Sequence, residues 1–206
     1  MILPLDDPNE EASFETATLI SPRDVPRLRR IMPPEIIYVT PLSLVEATIA
    51  DAAVSHLVTL INHDTKVPTP PSIPPERHLK LAMNDICEPA EGLVLPREEH
   101  VADLVQFTLD WDRKAPLLIH CWAGISRSTA AAFISLCALN PEADEFDLAR
   151  ALRQASATAY PNRRLVALGD SVLVRSGRMV QAVEEIGRGE IAEEGQVFTL
   201  PALYAA

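Results

Sequence analysis

The chain has 206 residues, 48% of them hydrophobic, and a formal net charge of −11. That is enough for one domain with a sizeable core plus short tails. An acidic surface of this size disfavours nucleic acid and anionic membrane as partners. Cys87, Cys121 and Cys137 are odd in number and irregularly spaced. They form no disulfide framework and suit a reducing, cytoplasmic setting. The N-terminus has no basic region followed by an apolar core, and no apolar run approaches the roughly 18 residues of a membrane span.

Residues 1–34 are acidic at first, then basic and punctuated by proline (Pro22, Pro26, Arg27, Arg29, Arg30), with no periodicity. They read as an extension ahead of a domain over 35–188, with a tail at 189–206. Residues 36–40 are β-rich and read as a strand. Residues 43–53 read as a helix, with Ser43 and Glu46 at the spacing of a capping box. Residues 56–62 read as a second strand. Five prolines within 67–75 make a stiff loop. In 77–83, His78, Lys80 and Ala82 alternate with Leu79, Leu81 and Met83, the pattern of a strand with one polar face.

Pro96 opens a helix carrying Glu98 and Glu99 in its first turn, with Val101, Leu104, Val105 and Thr108 as its core stripe. A short apolar run at 116–119 reads as a strand, and 127–139 as a helix ended by Asn140 and Pro141. Those two residues suit the N-cap and first position of the next helix, whose buried face is Leu148, Ala151, Leu152 and Ala155. A last helical stretch, 162–186, is broken near Gly177, and a short strand is expected at 197–200. Strands alternating with helices imply a mostly parallel sheet covered on both faces, with ligands at the carboxyl ends of its strands.

The chemistry concentrates in 117–129, LLIHCWAGISRST. A strand, a tight loop and a helix N-terminus in series make an anion site, because backbone N–H groups and the helix dipole converge there. A cysteine held at such a point ionises readily. Arg127 adds a planar fork that matches two phosphate oxygens, and Gly124 lets the backbone pass close to a ligand. Cys-x5-Arg alone is a weak signal. With His120, Gly124 and Ser128 also in place, the stretch resembles the signature of the cysteine-dependent protein tyrosine phosphatase superfamily, His-Cys-x-x-Gly-x-x-Arg-Ser/Thr. It looks most similar to compact, dual-specificity-like bacterial tyrosine phosphatases.

The resemblance spans about 36–187 and implies that superfamily's α/β architecture, with the phosphate-binding loop between a strand and a helix. It implies metal-independent phosphate monoester hydrolysis without a cofactor. Cys121 would be the nucleophile. The backbone of Trp122, Ala123, Gly124, Ile125, Ser126 and Arg127 would bind phosphate, Ser128 would donate to the thiolate, and His120 would orient the loop. The leaving group needs a proton. Asp85, just after a strand and 36 residues before Cys121, is the candidate acid, with Glu88 and Asp64 in reserve. Tyr160-Pro161-Asn162 resembles a Pro-Asn that opens a late helix in these enzymes. The Arg163-Arg164-Leu165 that follows departs from the family, so an N-cap is the plainer role of Asn162.

Substrates expected from this resemblance are phosphorylated proteins, chiefly on tyrosine and also on serine or threonine, or a small phosphoester. No lysine stands inside the loop, which lowers the inositide option. A rhodanese-like sulfurtransferase would not need Arg127, Ser128 and a separate acid. A low-molecular-weight phosphatase or arsenate reductase would carry its cysteine near the N-terminus. A phosphopeptide-binding pseudophosphatase is the non-enzymatic alternative.

Overall fold

The structure is a computed structural model and describes residues 35–204. The expected N-terminal extension, with its proline-rich and basic segments, lies outside the described residues. Five strands form one sheet: β1 (Ile36–Pro41), β2 (His56–Ile61), β3 (His78–Ala82), β4 (Leu117–Cys121) and β5 (Phe198–Pro201). Their order is β3-β2-β4-β1-β5. The first four run parallel, and β5 pairs antiparallel with β1. The 197–200 expectation therefore becomes an edge strand of the main sheet.

Six helices complete the architecture: α1 (Val45–Ala52), α2 (Glu98–Asp110), α3 (Arg127–Leu139), α4 (Glu145–Ala155), α5 (Arg163–Val172) and α6 (Arg178–Ile186). Strand alternation decides which helices cover which face. Ile37, Val39, Val58, Leu60, Leu117 and Ile119 share a core cluster with side chains of α2 to α6. Leu57 and Leu118 point the other way, into a smaller cluster with Val45 and Ile49 of α1 and Ile73. Helices thus cover both faces, as the alternating pattern implies. Among the described residues, one face is nevertheless served by α1 alone.

The stripe expected on α2, Val101, Leu104, Val105 and Thr108, is the buried set of that helix. All of α3 except Ala138 is buried. A helix buried on every side must carry small residues where backbones approach, which explains Ala130, Ala131 and Ala132. The break at Gly177 is real. That residue sits at φ 87°, a left-handed conformation that costs glycine little, between α5 and α6.

Two local expectations are corrected. The capping box at Ser43 and Glu46 does not form: a 3-10 turn, Leu42–Leu44, precedes α1, whose N-cap is Leu44. The Ser43 hydroxyl instead donates to Glu194, a tertiary partner that local spacing cannot reveal. Asn140 and Pro141 end α3 but do not start α4, which is capped by Asp144 accepting from the N–H groups of Phe146 and Asp147. Asn140 is used elsewhere. Its amide donates to the carbonyls of Leu136 and Ala202 and accepts from the N–H of Tyr204, holding the chain beyond β5. The alternation expected over 77–83 forms β3, and on its polar face Lys80 is exposed while His78 is buried.

Candidate active site

The loop 122–126 joins the carboxyl end of β4 to the N-terminus of α3. Its carbonyls are tied outward into the protein. Trp122 O accepts from Leu42 N (3.0 Å), Ala123 O from Gly195 N (2.8 Å), and Ile125 O from Tyr160 N (2.9 Å). Ser126 O accepts from Ala130 N (3.0 Å) and Asn162 N (3.3 Å), and Thr129 Oγ1 donates to the carbonyls of both Ile125 and Ser126. Among the described residues, no backbone N–H of 122–126 has a protein acceptor. Carbonyls out and N–H groups unsatisfied is the arrangement of an anion cradle, and the dipole of α3 adds to it.

Gly124 closes the loop at φ 72°. A Cβ there would lie 2.7 Å from Pro41 N and 2.9 Å from Thr40 C, so both conformation and space demand glycine.

Cys121 is 2% exposed, and its Sγ lies 3.1 Å from Ser128 Oγ. Arg127, also buried, donates from Nη1 to Met83 O (2.8 Å). Its Nε is buried without an acceptor, and the nearest carboxylate oxygen, Asp85 Oδ2, is 3.8 Å away. A buried unpaired guanidinium N–H is costly. Beside the cradle, that N–H is free to meet a ligand oxygen, and a phosphate would fit this set of donors.

Asp85 stands at the loop although it is 36 residues away in sequence. Its Oδ1 accepts from Ser126 Oγ and from Asn162 Nδ2, both at 2.7 Å. The reserve carboxylates are placed differently. Asp64 is exposed and accepts from Asn62 Nδ2. Glu88 is exposed and makes no hydrogen bond or ion pair among the described residues. Asn162 is the N-cap of α5, its Oδ1 accepting from Leu165 N (3.0 Å). The same side chain reaches Asp85 with its amide, a contact that the N-cap reading did not anticipate.

His120 is fully buried, and burial pushes its pKa down to about 4, so the ring is neutral. Its Nδ1 faces Cys121 O at 3.4 Å and its Nε2 lies 2.6 Å from Thr59 Oγ1. Thr59 Oγ1 continues to His78 Nε2 (2.8 Å), and His78 Nδ1 to Thr69 Oγ1 (2.9 Å). Burial and the nearby Lys80 likewise push His78 down to about 4. A carbonyl can only accept, so one pattern satisfies the whole chain. His120 Nδ1–H donates to Cys121 O, Thr59 O–H to His120 Nε2, His78 Nε2–H to Thr59, and Thr69 O–H to His78 Nδ1. Sequence reasoning missed Thr59, His78 and Thr69. The only signal was the strand register, which pairs Thr59 with both His120 and Lys80 across three strands.

Fold and site together define a class: an α/β protein of protein tyrosine phosphatase-like architecture, with an anion cradle between the central strand and the buried helix. No protein-family model matches the sequence, and no curated protein matches it. Solved structures share the fold. DUSP15 is 18% identical at a TM-score of 0.52, over 76% of this chain and 94% of that one. A human tyrosine phosphatase-like serine/threonine/tyrosine-interacting protein is 15% identical at 0.53, over 68% of this chain and 92% of that one. Human DUSP28 is 16% identical at 0.51, over 76% and 97%.

Proposed function

We propose that the protein is a cysteine-dependent phosphatase of the protein tyrosine phosphatase superfamily, akin to its compact, dual-specificity-like bacterial members. Its catalytic domain would be 35–188. Its substrates would be phosphate monoesters on proteins, chiefly phosphotyrosine, with phosphoserine and phosphothreonine also accepted. The observation that carries this reading is the set of unsatisfied donors around Cys121: the loop N–H groups and the buried Arg127 Nε.

The Cys121 thiolate attacks phosphorus in line with the leaving oxygen. The P–O bond breaks, and a cysteinyl phosphate forms. Asp85 gives its proton to the departing oxygen. With Oδ1 held by Ser126 and Asn162, Oδ2 is the oxygen that carries that proton. The loop N–H groups and Arg127 hold the equatorial oxygens as charge redistributes. Asp85 then takes a proton from water, which attacks phosphorus and expels the thiolate. Ser128 Oγ, 3.1 Å from Sγ, donates to the departing sulfur. No step calls on a metal, and the chemistry suits a reducing cytoplasm, where the Cys121 sulfur stays reduced.

The test is Cys121→Ser assayed on an aryl phosphate and with tungstate as a phosphate analogue. Turnover should fall below about one part in a thousand while tungstate still binds. Larger residual turnover removes Cys121 as nucleophile. A wild-type protein that binds tungstate but turns over nothing would be a pseudophosphatase.

A further inference from the structure

Among the described residues, the face of the sheet served by α1 is incompletely covered. Helix α1 packs over Leu57 and Leu118, and no other described helix packs on the outer end of β2 and the edge strand β3 on that face. There Thr59, Ile61 and Lys80 form the floor of a cavity of about 630 Å³, and Asn62, His63, Thr65 and Lys66 wall it; Asp64 of the same loop is outside the lining and accepts from Asn62 Nδ2. The chain has only three lysines, Lys66, Lys80 and Lys114. Lys114 lies 3.9 Å from Asp112. The other two line this one cavity, and among the described residues neither is in an ion pair. In a protein of net charge −11, this local concentration of unpaired cations is the opposite of the average surface.

The cavity adjoins the phosphate loop. Asn62, in its wall, accepts a hydrogen bond from Trp122 Nε1 at 2.7 Å, and Trp122 directly follows Cys121. On its other flank, Trp122 lines a cleft with Glu193 and Glu194, so the surface there is acidic. A half-exposed indole thus stands between a cationic cavity and an anionic cleft.

We propose that the cavity is a second anion subsite, which takes an acidic side chain lying on one side of the phosphorylated residue of a peptide substrate. This deepens the phosphatase reading and rests on it. The size suits one or two residues of extended peptide. The lining favours a peptide over an inositol polyphosphate. Val67 and Ala82 suit the methylene body of a glutamate, whereas a ring of phosphates would need cations on all sides. The acidic cleft beyond Trp122 makes the preference one-sided.

The experiment uses three tyrosine-phosphorylated peptides: neutral on both flanks, with two glutamates only before the phosphotyrosine, and with two only after it. Their kcat/KM values are measured for the wild type and for Lys66→Ala/Lys80→Ala, with an aryl phosphate as reference substrate. One of the two acidic peptides, and not both, should exceed the neutral one by about tenfold in the wild type, the worth of two exposed charge pairs. That ratio should fall to within about twofold in the variant. Both lysines are exposed, so replacing them leaves the core intact. Equal turnover of all three peptides by the wild type, a preference for acid on both sides, or a ratio that survives in the variant would overturn the subsite. A diphosphorylated inositol headgroup that beats every peptide and loses that lead in the variant would overturn the peptide assignment. Failure of the wild type on the aryl phosphate would strike the phosphatase reading instead. Fluorescence anisotropy of the same labelled peptides, wild type against variant, would then still decide whether the cavity reads acid on one side.

Discussion

Replacing Thr59 by valine removes one hydroxyl from the middle of a buried chain and changes the side-chain volume little. Thr59 Oγ1 serves His120 Nε2 at 2.6 Å and His78 Nε2 at 2.8 Å, and all three residues are buried. The variant leaves one acceptor and one donor unmatched. Each orphaned buried group costs about 1–3 kcal/mol, so Thr59→Val should lose about 2–6 kcal/mol of stability. Thr59→Ser keeps both bonds and loses one methyl, at about 1 kcal/mol. Urea denaturation monitored by circular dichroism reads both. A valine variant within about 0.5 kcal/mol of wild type would refute the hydrogen-bonded chain. The same chain sets a pH dependence. His120 and His78 have folded pKa values of about 4, below the ordinary histidine value of 6.5. Between those values the unfolded chain binds protons that the folded one refuses, so their contribution is complete above pH 6.5 and is lost as pH falls towards 4. For His120 alone the loss is about 3 kcal/mol. An NMR titration should find the His120 ring neutral down to about pH 5; a midpoint near 6.5 would contradict its burial.

Other outcomes follow from the loop. Arg127→Lys replaces a fork by a point charge and should lower aryl phosphate turnover by about 10²–10³; a loss under about fivefold would place Arg127 outside the site. Asp85→Asn should slow phenyl phosphate by about 10²–10⁴, less for substrates with more acidic leaving groups. If Glu88→Gln or Asp64→Asn shows that leaving-group dependence in its place, Asp85 is not the acid. Gly124→Ala should abolish tungstate binding, because its Cβ meets the backbone at Thr40 and Pro41; calorimetric binding within a few-fold of wild type would show that the loop can shift.

Residues close in sequence were readable, because short-range physics decides them. Short β-rich or apolar runs, the alternation of 77–83 and helix periodicity located β1 to β4 and the stripe of α2. The spacing from His120 to Ser128 located the strand–loop–helix, since one turn of loop must present both its N–H groups and a guanidinium to one point. Tertiary structure decided whatever depends on neighbours far along the chain. Ser43 has a plausible local partner in Glu46 but bonds to Glu194, and Asn140, a fair N-cap by position, is taken by Ala202 and Tyr204. Asp85 stands out in the sequence by its place after a strand, whereas its contacts with Ser126, Arg127 and Asn162 exist only because β3 ends and α5 begins beside the loop. Thr59 and His78 carried no linear signal at all. Parallel pairing brings Thr59 beside His120 from 61 residues away, and a polar residue between two buried histidines acquires its role only when the strands align.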